Sequence, residues 1–152
     1  MRKKAFSNIT RVLCILLAIS LITGAASATD DGIQPLASDY LYSYTAYIAD
    51  KGNGDLSVQF SVNGSGIMNQ IGVSSITLQW STNEINWYTI KTFDPEDYPQ
   101  MLGSNRLRYS SSVPYSGTEG WYYRASVTFY ASDDYGSDSI TLWTSSVQLK
   151  QT

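Results

Sequence analysis

Asp94, Glu96 and Asp97 crowd one proline-flanked stretch, and paired carboxylates are what a glycosidase uses as its acid and base. That chemistry needs one carboxyl with a raised pKa, and therefore burial; acids beside Pro95 and Pro99 read instead as solvated loop residues. Other catalytic routes lack their parts. The chain has no histidine, so a nucleophilic serine has no imidazole base, and Lys51, Lys91 and Lys150 lack the flanks of a Ser–Lys pair. The single cysteine, Cys14, lies in an N-terminal apolar run, which leaves no His/Cys set for zinc downstream. The chain reads as non-catalytic.

Calcium chemistry has more material. Two turns are rich in oxygen donors, one carrying Asp50, Asn53 and Asp55 and the other Asp133, Asp134 and Asp138. Calcium takes six to eight oxygen ligands, but neither stretch has EF-hand spacing. Asp and Asn closing tight turns through local hydrogen bonds account for the same residues. Calcium is the one cofactor these residues suggest.

Aromatic side chains are the third resource, with twelve Tyr and four Trp. Flat rings beside hydroxyl and amide groups suit sugar rings. Trp121, Tyr122, Arg124 and Tyr130 are the candidate ligand-binding residues, with Trp87 and Tyr98 near loops. Aromatics on sheets also pair across strands simply to stabilise them, and most of twelve tyrosines in one small domain must do so. The run from Ser81 to Trp87 faintly echoes a propeller turn, but one copy makes no propeller and it reads as a hairpin turn with a packing tryptophan.

The elements that position these residues are strands. Leu56, Val58, Phe60 and Val62 alternate with polar residues, as do Ile76, Leu78 and Trp80, and Tyr123, Ala125, Val127 and Phe129. Weaker runs cover Tyr40–Ala49, Trp87–Phe93, Leu107–Val113 and Ser139–Leu149. About seven strands with turn-rich connections predict an all-β, antiparallel β-sandwich. Its core is expected to hold the apolar members of the three strong runs. The turn at Lys51–Asp55 leaves two registers open. A two-residue Asn53-Gly54 loop pairs Tyr47 with Phe60 and exposes Tyr40, Tyr42, Tyr44 and Ile48. A three-residue loop with a glycine bulge pairs Ala46 with Phe60 and turns that ladder inward, which burial of Ile48 favours.

Residues 1–28 read as a secretory signal peptide: Met1-Arg2-Lys3-Lys4, an apolar run from Val12 to Ile22, and small residues ending at Ala28. The run is too short for a membrane span, which needs about 20 residues. Residues 29–38 form a flexible leader and 39–152 the sandwich. Cleavage after Ala28 removes four of the ten Lys and Arg and none of the thirteen acids, leaving a net charge of −7. An acidic surface repels phosphate backbones, which argues against nucleic acid as a partner. The expected site of action is extracellular, the source bacterial, and no wall-sorting motif follows Leu149.

Tyr44-x-Ala46-x-Ile48, Ile71-Gly72, Tyr98-Pro99-x-Met101-Leu102-Gly103, Tyr115-x-Gly117 and Tyr123-x-Ala125 resemble a family of small secreted proteins of Gram-positive anaerobes, a domain of unknown function. The resemblance implies no activity, cofactor or site residue. More loosely, Ile76–Trp80 and Gly117–Tyr123 resemble immunoglobulin and fibronectin-type strands, with Tyr123 as the tyrosine-corner residue and no paired cysteines. The expectation is a secreted, non-catalytic protein that binds a protein or glycan surface. Two alternatives stand beside it: a carbohydrate-binding module with coplanar Trp121, Tyr122 and Tyr130, or an assembly protein that adds a partner's strand to an edge at Tyr40–Ala49 or Ser139–Leu149.

Overall fold

Gly52, Asn53 and Gly54 all adopt positive φ, and this turn sets the first strand pairing. The structure, a computed structural model, describes residues 38–150; the predicted signal and nearly all of the leader lie outside the described residues. Seven strands follow: β1 (Leu41–Gly52), β2 (Asp55–Ser81), β3 (Tyr88–Phe93), β4 (Leu102–Ser116), β5 (Tyr122–Ser132), β6 (Ser137–Trp143) and β7 (Val147–Gln148). All pairings are antiparallel and join one seven-stranded sheet. Apart from a 3₁₀ turn at Pro99–Met101, no helix occurs among the described residues.

In the first hairpin Ala46 lies opposite Phe60, the register of the bulged loop. Ile48 is buried, Tyr44 packs on the core, and Tyr47 faces out with its hydroxyl donating to Gln59 Oε1 at 2.6 Å. Tyr42 departs from the inward ladder and is 80% exposed. A register shift between Leu41 and Ser43 puts Leu41 inside in its place.

The alternating runs at Leu56–Val62 and Ile76–Trp80 belong to one 27-residue strand, not two. Its first half pairs with β1 and its second with β5 along one edge; β4 and then β3 line the other edge. Register shifts between Asn63 and Met68 and between Val73 and Ser75 interrupt it. Bulges bend a strand and increase its twist, so the sheet curls into a half-barrel. Tyr44 of β1 meets Phe129 of β5 at a centroid distance of 5.0 Å. Side chains tie the open side at both ends. Asp138 Oδ2 accepts from Ser38 Oγ (2.7 Å) and Asp39 N (3.1 Å), and Asp50 Oδ2 accepts from Lys150 N (3.1 Å).

Inside lie the alternating residues of β2 and β5, including Val58, Val62, Ile76, Leu78, Val127 and Phe129, all at 0% exposure. Trp80, expected in the core, is only partly buried; it stacks on Trp121 at 4.0 Å and 17° at the sheet's end. Tyr123 is fully buried, and its hydroxyl accepts from Thr118 N at 2.7 Å.

Candidate functional site

On β5 the residues Ala125, Val127 and Phe129 point inward, so Tyr122, Arg124, Ser126, Thr128 and Tyr130 share the outer face. Arg124 lies opposite Gln79 of β2, and its Nε donates to Gln79 Oε1 at 2.9 Å. An indole flanks its guanidinium from either neighbouring side of the sheet. The guanidinium carbon is 4.3 Å from the Trp87 ring and 4.6 Å from the Trp143 ring. Cation–π contacts of this kind contribute about 0.5–1 kcal/mol each at exposed positions. Trp143 remains 50% exposed.

Local chemistry fixes both tryptophans. Trp87 follows a turn in which Asn83 Oδ1 accepts from the amides of Ile85 and Asn86, both at 3.0 Å, while Glu84 takes φ 56°. Trp87 Nε1 donates to Glu84 O at 3.1 Å, and the Glu84 carboxylate accepts from Ser146 Oγ, which ties this turn to the β6–β7 connection. Beside Trp143, buried Thr144 carries the pairing past the end of β6: its N donates to Ala125 O (2.9 Å) and its Oγ1 accepts from Ala125 N (3.0 Å). Ser126, directly opposite Trp143, and the bonded pair Thr128–Thr141 (2.9 Å) supply hydroxyls on the same face.

The four predicted ligand-binding residues do not form one platform. Trp121 falls on the inward alternation and has one face against Trp80. Tyr122 and Tyr130 do share the outer face, but eight residues of strand separate them by about 26 Å. Arg124 alone sits at a convergence of aromatic groups, and its partners are Trp87 and Trp143. Sequence reasoning missed Trp143 in this role. The available signal was the alternation of Ser139, Thr141 and Trp143 against Ile140 and Leu142, but only the β5–β6 register brings it to Arg124.

The oxygen-rich turns are occupied by their own backbone and neighbours. Asp133 Oδ1 accepts from the amides of Tyr135 and Gly136, Asp134 Oδ1 from Asn69 Nδ2, and Asp55 Oδ1 from Ser116 Oγ. Asp50 accepts from the amides of Gly52 and Lys150, and these hydrogen bonds hold its carboxyl below the usual carboxylate range. No group of three or more His, Cys, Asp or Glu side chains placed to hold a metal occurs among the described residues. In the proline-flanked loop, Asp94 Oδ1 accepts from the amides of Glu96 and Asp97, closing the turn that leads to Pro99.

Both predicted edges, in β1 and β6, are paired on one side only, yet they are the two strands whose ends Asp138 and Asp50 help tie down. The outer side of β4 is a third edge, interrupted by Asn105 at φ 54° and carrying exposed Arg106 and Arg108, features that discourage strand addition. No helix among the described residues is long and apolar enough to cross a membrane.

No protein-family model matches the chain, and neither does any curated protein. Among solved structures it is similar to the X-ray structure of Northeast Structural Genomics Consortium target SoR45, at 7% identity and a TM-score of 0.32, over 72% of this chain and 84% of that one.

Proposed function

We propose that the protein is an extracellular, non-catalytic binding module that takes a glycan on the outer face of β5 and β6. One observation carries this reading: Arg124 is held between Trp87 and Trp143 while Trp143 keeps half of its surface open. A preset ring face beside hydroxyl groups is what a sugar needs, because its C–H face packs on the indole while its hydroxyls exchange hydrogen bonds. The signal-like segment at residues 1–28 supports export. The contact of Tyr44 with Phe129 across the curl and the Tyr123 corner bond support reading the half-barrel as an immunoglobulin-like sandwich. Membership of the secreted family of unknown function is part of the same proposal.

The test is a glycan array probed with the protein secreted from the full-length chain, in calcium and again in chelator, beside Trp143→Ala. Binding that is lost in the variant while its melting temperature holds supports the reading. A blank array refutes it and directs attention to a protein surface as the partner. Loss in chelator alone identifies a calcium requirement that the turns at Asp50–Asp55 and Asp133–Asp138 would have to explain.

A further inference from the structure

Arg124 carries five N–H donors, of which Nε is spent on Gln79. With an indole on either side, the surface left for a ligand is the N–H edge of the guanidinium. That edge is the complement of a carboxylate, which can accept two parallel hydrogen bonds in the guanidinium plane. The hydrogen-bond partner of Arg124 in its sheet, Gln79, is a neutral amide and leaves the cation's charge uncompensated by that bond. Glu84, the acid nearest in the chain to Trp87, is engaged by Ser146.

We infer that the glycan carries carboxylates, as uronic-acid polymers do, and that Arg124 takes one of them between the two tryptophans. This rests on the glycan reading above and specifies its ligand class. The charge pattern favours sparse single anions over a dense polyanion. Among the described residues Arg124 is the cation flanked by Trp87 and Trp143, whereas Lys91 is directed to Phe93 and Tyr98, and Arg106 and Arg108 lie on β4 in the other half of the sheet. Thirteen acids elsewhere would repel a nucleic-acid backbone. A monosaccharide unit with one carboxylate places its charge on Arg124 and its ring against Trp143, with Ser126, Thr128 and Thr141 beside it.

The experiment compares polygalacturonate, alginate and hyaluronate with neutral mannan and with fully methyl-esterified polygalacturonate, by calorimetric titration of the full secreted chain. A poly-glutamate arm is run in parallel. The expected result is binding of at least one uronate polymer, weaker for its ester by roughly tenfold to a hundredfold, the value of hydrogen bonds to a charged group. Arg124→Gln should erase the acid–ester difference, and Arg124→Lys should restore only part of it, because a lysine keeps the charge without the fork. Trp143→Ala should weaken acid and ester alike and provides the readout if Arg124→Gln fails to fold. Equal affinity for acid and ester, or binding of neutral mannan alone, overturns the carboxylate inference and leaves the glycan reading standing. Preference for poly-glutamate overturns it in favour of an acidic protein segment, and no binding to any polysaccharide overturns both.

Discussion

Replacing Gly72 with Ala should destabilise the whole half-barrel, because Gly72 is where three strands meet. It pairs with Leu102 of β4 on one edge of β2 and with Tyr130 of β5 on the other. Its φ is 152°, and a Cβ built there would lie 2.2 Å from Met101 O and 3.0 Å from Leu102 Cα. Both obstacles are backbone, so no side-chain rotation relieves them. Relief requires β2 to move away from the 3₁₀ turn at Pro99–Met101, yet Met101 is itself fully buried. Overpacking costs about 1–3 kcal/mol and an unfavourable positive φ about 1–2 more, giving a loss of about 2–5 kcal/mol. At roughly 4 °C per kcal/mol for a domain of this size, the melting temperature should fall by about 8–20 °C. Gly66 is the internal control: a Cβ there meets nothing within 4 Å, and Gly66→Ala should stay within about 0.5 kcal/mol of the parent. Urea and thermal unfolding of both variants, followed by circular dichroism, decide the matter. If Gly72→Ala unfolds with the same midpoint as Gly66→Ala, the close approach of Met101 does not govern the curl and the reasoning fails.

Two further outcomes test the packing. Tyr123→Phe removes the acceptor for Thr118 N while leaving the buried ring, so unfolding should cost about 1 kcal/mol less; a midpoint unchanged within error would mean that water replaces the hydroxyl without loss. Asp50 is held below the usual carboxylate range by the amides of Gly52 and Lys150, so its contribution is present above the unfolded pKa and disappears as pH falls through the folded one. Asp50→Asn should therefore be less stable than the parent at neutral pH and converge with it from roughly pH 4 downward. A difference that persists unchanged to pH 2 would assign the effect to something other than the charge.

Strand content was legible wherever one face of a strand is buried, because burial on one side imposes period two on the residues. That is why β5 is recognisable from Tyr123, Ala125, Val127 and Phe129, and why the β1–β2 register follows from the need to bury Ile48. The same rule misplaced Tyr42, since a bulge inverts the alternation for the residues beyond it. It also split β2 in two, because the stretch from Gly64 to Ser75 lacks clean alternation where two bulges interrupt it.

Residue types alone determined that this chain lacks the histidine and downstream cysteine of the common catalytic and zinc sites, and that β strands build it. Arg124 as a candidate was also in reach, since its position on the outer face follows from β5 alone. Its partners were not. Trp87 precedes Arg124 by 37 positions and Trp143 follows it by 19, and no local spacing relates them. Strand pairing brings them together, through the registers Gln79–Arg124 and Ser126–Trp143 and through the Asn83 turn that holds Trp87. Register is a property of whole strands competing for one core, so the site exists only once β2, β5 and β6 have paired.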